Sequence, residues 1–136
     1  MTSPAAAHTI VLARFAADAV LLLHLGFIVF VMLGGFLVFR WPRFALLHVP
    51  EVIWGALVEL TGKICPLTFV ENQLRIAAGT SGYTGSFVEH YLLGVIYPAG
   101  LSRPAQYALA LLVIAVNAAI YARLLHAATA RRCTRP

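Results

Sequence analysis

The sequence predicts an all-α integral membrane protein: a bundle of three full transmembrane helices, plus a re-entrant or short fourth helix and an interfacial helix. Hydrophobic residues make up 61% of its 136 residues and charged residues only 11%, whereas a soluble domain carries about 25% charged residues. The polar surface needed to cover a water-facing globule is therefore missing. Long apolar runs near both ends define the outer spans, and residues 1–136 are predicted to form a single transmembrane domain.

The first span, about residues 15–39, contains the clearest signal. Residues 20–39 (VLLLHLGFIVFVMLGGFLVF) hold one ionisable group, His24, and a helix of about 20 residues crosses a hydrocarbon core of about 30 Å. A cleavable signal peptide is less favoured, because the run is longer than a typical apolar h-region and no small-residue cleavage site follows it. Trp41 and Pro42, between two arginines, instead predict a turn at the membrane edge.

The second span, about residues 44–62, is apolar but carries His48, Glu51 and Glu59. A carboxylate at the centre of an inserted helix costs about 2.5–3.5 kcal/mol, and a strongly apolar residue contributes only about 0.3–0.6 kcal/mol. At about 100° per residue, these three side chains and Gly55 form one stripe. The helix is therefore expected to insert only with this stripe turned toward protein.

The region 66–101 is predicted to be interfacial and re-entrant. Its first part alternates apolar and polar side chains behind a proline, which predicts a short amphipathic helix in the interface. Residues 86–101 are apolar but short, contain Glu89 and His90, and are broken at Pro98. They fit a re-entrant or half-buried helix better than a full crossing. A four-span arrangement, in which this segment crosses, is the alternative.

The last span, about residues 105–125, has Asn117 as its one polar residue at mid-depth, and a basic tail, residues 127–136, follows it. With three spans, six basic residues lie on the side of the tail and four on the other; with four spans the numbers are seven and three. Both arrangements obey the positive-inside rule. The net charge of +5 suggests contact with anionic lipid and not with nucleic acid.

Ionisable groups in or near the bilayer raise the question of a functional site, because they are costly in hydrocarbon. Two explanations stay open: the groups pair with one another and stabilise the helix register, or they bind a ligand. Glu71 and Arg75, one turn apart, are predicted to form a structural ion pair. Glu59 and Asn117 are expected to belong to the polar core.

The ligand hypothesis is a haem or transition-metal site. It requires His24, His48 and His90, which lie on three different segments, to converge, with Glu51 and Glu89 as further metal ligands. Imidazoles and carboxylates suit first-row metals, and two imidazoles can ligate a haem axially. No compact ligand spacing supports the site. The adjacent pair at 89 and 90 also points about 100° apart on a helix, which disfavours joint ligation.

Two further function classes stay open. Small residues along the helices, among them Gly34 and Ala118, permit close helix packing, which favours an accessory or scaffold role with a membrane-protein partner or a second copy. Proton or small-solute movement along buried carboxylates such as Glu51, Glu59 and Glu89 is the alternative. An enzymatic role has the least support, because no candidate nucleophile lies at a spacing that predicts an adjacent base.

Three stretches resemble a known family: residues 24–35 (HLGFIVFVMLGG), 65–75 (CPLTFVENQLR) and 82–101 (GYTGSFVEHYLLGVIYPAGL). They are similar to the pattern of Domain of Unknown Function 2784, a family of small bacterial membrane proteins. The resemblance extends from about residue 15 to residue 122. It implies a multi-pass protein of the bacterial inner membrane, and it implies no activity, cofactor or catalytic residue.

Overall fold

A computed structural model describes residues 4–93 and 102–133, and this part of the chain contains helices and no strand. The helices are α1 (Pro4–Leu33), α2 (Gly35–Arg40), α3 (Ala45–Thr61), α4 (Pro66–Ala77) and α5 (Arg103–Cys133). A short 3-10 turn, Pro42–Phe44, precedes α3, and a π-helical turn, Val88–Leu93, follows α4. Residues 94–101 of the predicted segment 86–101 lie outside the described residues.

Three helical segments are long and apolar enough to cross a membrane: Ala6–Leu33, Pro42–Thr61 and Arg103–Ala130. They confirm the prediction of an all-α fold with three candidate spans. Two helices extend further than predicted. α1 begins at Pro4, because proline is favoured at the first helical position and the alanines after it are strong helix formers. α5 continues through the predicted tail to Cys133, since alanine and arginine also favour helix.

Contacts between Cα atoms divide the chain into two compact units. Unit 1 comprises Met1–Gly26 and Lys63–Ser102, and unit 2 comprises Phe27–Gly62 and Arg103–Pro136. α4 and the turn after it therefore belong to unit 1, whereas α2, α3 and α5 belong to unit 2.

Unit 1 has a partly polar interior. His24, Thr68 and Glu71 are buried there, together with Ala17 and Phe87. Large apolar side chains lie on the outside instead, and the side chain of Phe15 is 70% exposed. Extended exposed apolar surface is unusual for a soluble protein and is expected for helices that face lipid.

In unit 2, α3 packs along α5, and α2 contacts both helices. The buried apolar side chains of this unit include Val31, Val38 and Ile120, and two polar ones, His48 and Asn117, are buried with them. The outside is again apolar. Unit 2 thus has the same arrangement as unit 1: polar side chains are buried and the exposed surface is largely apolar.

The predicted first span is interrupted at Gly34, which separates α1 from α2. A Cβ atom on this residue would lie 2.6 Å from Cδ2 of His48 and 2.7 Å from Cδ2 of Phe30, which is closer than real Cβ atoms approach other atoms. Glycine therefore leaves the space that the His48 ring occupies. The backbone of Gly34 keeps right-handed helical angles (φ −61°, ψ −24°), so the chain continues in helical conformation across the interruption.

Candidate functional site

α4 places a carboxylate in the interior of unit 1. The helix begins at Pro66, after the extended residue Cys65, and ends shortly before Gly79, which has φ +73°. Proline at the first helical position and a left-handed glycine after the last turn are common helix borders. Thr68 and Glu71, three positions apart, share one face of this helix and are fully buried.

The Glu71 carboxylate accepts three hydrogen bonds. Arg75 Nε donates to Oε1 at 2.8 Å, so the predicted ion pair is present. Tyr91 OH donates to the same oxygen at 2.9 Å, and Tyr83 OH donates to Oε2 at 2.8 Å. Hydrogen bonds to an ionised acceptor are roughly twice as strong as neutral ones, and they offset the cost of burying the charge. Glu71, Arg75, Tyr83 and Tyr91 are called the Glu71 cluster below.

The cluster shifts the pKa values of its donors. Burial, the hydrogen bond to Glu71 and the charge of that carboxylate together raise the pKa of Tyr91 to about 12. The same causes raise the pKa of Tyr83. Burial alone would lower the pKa of Arg75, but its hydrogen bond and its attraction to Glu71 outweigh burial and raise that pKa. At neutral pH both phenols are therefore neutral donors and the guanidinium is charged.

Asn72 holds the chain after α4 against this helix. Its Nδ2 donates to the backbone oxygen of Tyr83 at 2.8 Å, and its Oδ1 accepts from the backbone nitrogen of Tyr83 at 2.9 Å. Thr80 Oγ1 donates to the carbonyl of Arg75 at 2.7 Å, which satisfies a carbonyl in the last turn of α4. These contacts position the phenol of Tyr83 beside Glu71.

Ser86 and Glu89 form a reciprocal cap at the start of the next helical turn. Glu89 N donates to Ser86 Oγ at 3.2 Å, and Ser86 N donates to Glu89 Oε2 at 3.3 Å. This is a capping box, in which each side chain satisfies a backbone donor of the other residue. It lies at the start of the π-helical turn that carries Tyr91. The carboxylate of Glu89, predicted as a metal ligand, thus caps this turn.

Aromatic rings surround the cluster. Tyr83 stacks on His90 with ring centroids 4.0 Å apart and an interplanar angle of 8°, and both rings meet Tyr91 edge-on. The ring centroid of Phe87 lies 4.9 Å from that of Tyr91 and 4.3 Å from that of the buried His24. Two of the three predicted cofactor ligands therefore lie in unit 1, His24 in its interior and His90 on its surface.

The third predicted ligand, His48, lies in unit 2 and has both ring nitrogens hydrogen-bonded. Nε2 lies 3.1 Å from the carbonyl oxygen of Phe30, and Nδ1 lies 3.0 Å from Tyr121 OH. A carbonyl only accepts, so Nε2 donates to Phe30, and Nδ1 pairs with the phenol of Tyr121. A metal ion or haem iron would have to displace one of these partners. The convergence of all three histidines on one ligand stays a prediction.

Asn117, predicted for the polar core, is buried in unit 2 at 4% exposure. Its Nδ2 donates to the carbonyl of Val31 at 3.0 Å and to that of Val113 at 2.9 Å. Its Oδ1 has no hydrogen-bond partner within the described part of the chain. Glu51 and Glu59 are half-buried on α3, on the same side of the helix as the buried His48.

A metal ion would need a group of ligands that the described residues do not form. Within residues 4–93 and 102–133, no three His, Cys, Asp or Glu side chains are grouped closely enough to hold one. Of the two carboxylates predicted as metal ligands, Glu51 belongs to unit 2 and Glu89 to unit 1.

Sequence reasoning missed the phenols that hydrogen-bond to the buried side chains of Glu71 and His48. Tyr83 and Tyr91 follow Glu71 by 12 and 20 positions, and Tyr121 follows His48 by 73. No helical periodicity connects residues that far apart, so these pairs carry no sequence signal. The capping box, in contrast, is a four-residue signature that the sequence does contain.

Comparisons with known proteins identify a family but no activity. No curated protein and no solved structure matches this chain. The profile of the family described as Protein of Unknown function (DUF2784) matches residues 14–122. The match covers most of the chain, including the Glu71 cluster, His48 and Asn117. The chain therefore belongs to the DUF2784 family.

Proposed function

We propose that the protein is a non-enzymatic accessory or scaffold subunit, a multi-pass protein of the bacterial inner membrane that folds as a single transmembrane domain. The closed Glu71 cluster carries this proposal. A general acid or base needs an open lone pair or a transferable proton within reach of a substrate, whereas Glu71 is fully buried and accepts three hydrogen bonds. Such a carboxylate stabilises a fold, and a rigid surface is what a scaffold presents to its partners.

We propose α4 as the interfacial helix, followed by the start of a re-entrant segment. Its polar face is buried, whereas Phe69, Val70 and Ile76 are 63%, 45% and 58% exposed. In water this orientation would expose the apolar face of the helix. Contact with the acyl region of a bilayer would cover that face, as it does for amphipathic helices that lie in a membrane interface.

Single cysteines test this placement in a background without the native cysteines. Phe69→Cys and Ile76→Cys should react slowly with a membrane-impermeant maleimide, and a fluorophore there should be quenched by nitroxide-labelled lipid. Ser81→Cys, on the exposed turn after α4, is the matched control and should show the opposite behaviour. Aqueous labelling at 69 and 76 as fast as at 81 would place the apolar face of α4 outside the lipid.

The accessory role predicts a stable complex. Native membranes solubilised in mild detergent should yield the protein together with another membrane protein at fixed stoichiometry, measured by native mass spectrometry. An unrelated multi-pass protein carrying the same tag is the control. If the protein stays alone, or associates only with copies of itself even after chemical crosslinking in the membrane, the accessory role is contradicted.

We further propose that the C-terminal tail lies in the cytoplasm together with Arg40 and Arg43. The excess of basic residues on that side supports this orientation. The same positive charge favours contact with anionic lipid over binding to nucleic acid. A C-terminal tag should then be digested by protease in inside-out vesicles and protected in intact cells.

The cofactor and translocation hypotheses have separate tests. Haem or metal binding by His24, His48 or His90 predicts a reduced-minus-oxidised difference spectrum or a bound metal in the purified protein, and two blank results would remove it. Proton movement through Glu51 or Glu59 predicts a liposome flux that Glu51→Gln lowers. An identical flux for this variant and the wild type would count against that alternative.

A further inference from the structure

Three exposed arginines lie in unit 2. Arg40 ends α2, Arg43 lies in the 3-10 turn before α3, and Arg123 lies in the last third of α5. All three side chains are exposed. The ion pair of the described residues joins Arg75 to Glu71, so none of the three guanidinium groups is paired with a carboxylate within that part of the chain. Arg40, Arg43 and Arg123 are called the arginine edge below.

α3 and α5 run antiparallel within unit 2. At one end of this pair, Arg103 Nη2 donates to the carbonyl oxygen of Leu60 at 3.3 Å, and toward the other end His48 Nδ1 lies 3.0 Å from Tyr121 OH. Toward that second end, residue numbers fall along α3 and rise along α5. Arg43, five residues before His48, therefore lies at the level of position 126 of α5.

α2 runs toward the same end as α5. Asn117 on α5 donates to the carbonyl of Val31, and a Cβ atom on Gly35 would lie 2.8 Å from Cγ2 of Ile120. The two segments thus advance together from the first contact to the second. Arg40, five residues after Gly35, therefore lies at the level of position 125 of α5.

The arginine edge therefore concentrates positive charge at one end of unit 2. Its levels correspond to positions 123, 125 and 126 of α5, which span about 5 Å along a helix, and neighbouring helix axes are about 8–10 Å apart. The acidic residues of unit 2 are Glu51 and Glu59. The nearer one, Glu51, follows Arg43 by eight residues, about 12 Å along the helix. Within its described residues, unit 2 therefore has no carboxylate at this edge to offset the charge.

Apolar side chains flank the arginine edge. Trp41 and Phe44 are 51% and 39% exposed, and their ring centroids lie 6.0 Å apart. The guanidinium carbon of Arg40 lies 5.6 Å from the ring centroid of Trp41, and Leu125 on α5 is 68% exposed. Arginine beside exposed tryptophan is typical of the depth at which a membrane-spanning helix meets the lipid headgroups.

We infer that the arginine edge binds the phosphate groups of anionic phospholipids in the bilayer, with Trp41, Phe44 and Leu125 against their glycerol and acyl regions. The inference rests on the membrane placement proposed above and assigns the lipid contact to a defined site. A guanidinium group donates two parallel hydrogen bonds to a phosphate. Clustered basic side chains at the ends of membrane helices also attract anionic lipid.

An acidic segment of a water-soluble protein complements this edge less well. Its carboxylates would pair with the arginines, but the exposed apolar side chains beside them would still need a cover. A bilayer offers phosphate and hydrocarbon at adjacent depths. It therefore matches both the charged and the apolar side chains of this end of unit 2.

Lipid titration of the purified full chain in a mild non-ionic detergent tests the inference, with bound lipids counted by native mass spectrometry. The wild type should bind phosphatidylglycerol and cardiolipin at least about tenfold more tightly than phosphatidylcholine. Arg40→Gln, Arg43→Gln and Arg123→Gln should each lower the affinity for anionic lipid about fivefold, and the triple variant about a hundredfold. Arg14→Gln, which removes an exposed positive charge from unit 1, is the matched control and should leave the affinity unchanged.

Replacing the three arginines by lysine keeps the charge and should keep most of the affinity, which separates loss of charge from damage to the fold. A preference for cardiolipin over phosphatidylglycerol at equal phosphate concentration would show that two phosphates are held at once. Equal wild-type affinity for anionic and zwitterionic lipid, unchanged affinity in the triple glutamine variant, or an equal loss in the lysine variant overturns the inference. Loss of affinity only on replacement of Arg131 and Arg132 also overturns it, because the lipid then binds to the tail.

Co-purification of a membrane protein is measured separately. A protein that retains its partner but shows no preference for anionic lipid contradicts the arginine edge alone. Intact lipid binding without any partner contradicts the accessory role alone. Release of an acidic partner protein by the triple glutamine variant, with its lipid affinity unchanged, overturns the lipid site in favour of a protein contact.

Discussion

Replacing the Glu71 carboxylate by an amide should lower the free energy of unfolding, and the number and strength of the lost hydrogen bonds set the size of the effect. Glu71→Gln keeps an oxygen for Arg75 and Tyr91 but loses the ion pair and the second carboxylate oxygen, which accepts from Tyr83. Hydrogen bonds to charged groups contribute about 1.5–3 kcal/mol each. The bond from Arg75, whose side chain is 22% exposed, is partly replaced by water. We expect the unfolding free energy to fall by about 2–4 kcal/mol.

The assay is a denaturant titration in mild detergent, with the free energy extrapolated linearly to zero denaturant. Tyr83→Phe and Tyr91→Phe should each cost about 1.5–3 kcal/mol. Tyr107→Phe removes the hydroxyl of an exposed phenol whose hydrogen bond is formed at the surface, and it should change the free energy by less than about 0.5 kcal/mol. Hydrogen exchange should show that the loss of protection is confined to α4 and the turn that follows it.

A double-mutant cycle refines the test, because groups in one network are coupled. Tyr83→Phe should cost at least about 1 kcal/mol less in the Glu71→Gln background than in the wild type. The reasoning is refuted if both phenylalanine variants match Tyr107→Phe, or if the effects of Glu71→Gln and Tyr83→Phe simply add.

Two further predictions concern a glycine and the response to alkali. Gly34→Ala should lower the free energy of unfolding by about 1–3 kcal/mol because the added Cβ meets the His48 ring. Gly26→Ala is the control, since the space around Gly26 is open, and it should not destabilise the protein. Equal shifts of the thermal unfolding midpoint in the two variants would contradict this prediction. Because the folded pKa of Tyr91 is raised to about 12, above the unfolded value near 10, its contribution to stability should be complete below pH 10 and lost between pH 10 and 12. An unchanged alkaline unfolding profile in Tyr91→Phe would contradict this.

Local sequence pattern was sufficient to find the helices that could cross a membrane. The run at residues 20–39 and the run at 105–125 are long and apolar enough to indicate crossing helices without further information. The pair Glu71 and Arg75 was predictable for a similar reason, since residues four positions apart meet on one side of any helix. Helix ends were less predictable: α1 begins eleven residues before residue 15, where the first span was predicted to begin, because the alanines after Pro4 are strong helix formers.

The hydrogen-bond partners of the buried polar side chains could be identified only from the tertiary structure. The sequence shows that His48, Glu71 and Asn117 are too polar to face lipid, but it cannot show what satisfies them. Apart from Arg75 and Val113, which lie four positions away on the same helix, their partners lie between 12 and 86 positions away and are brought near only when the chain packs. Sequence by itself determined that the chain forms helices long and apolar enough to cross a membrane, because hydrophobicity and helical periodicity are local properties. Tertiary structure alone decided that Glu71 accepts hydrogen bonds from two phenols, whereas the buried Oδ1 of Asn117 has no partner among residues 4–93 and 102–133. The physical reason is that hydrogen bonds depend on distances of about 3 Å between segments whose order along the chain carries no such information.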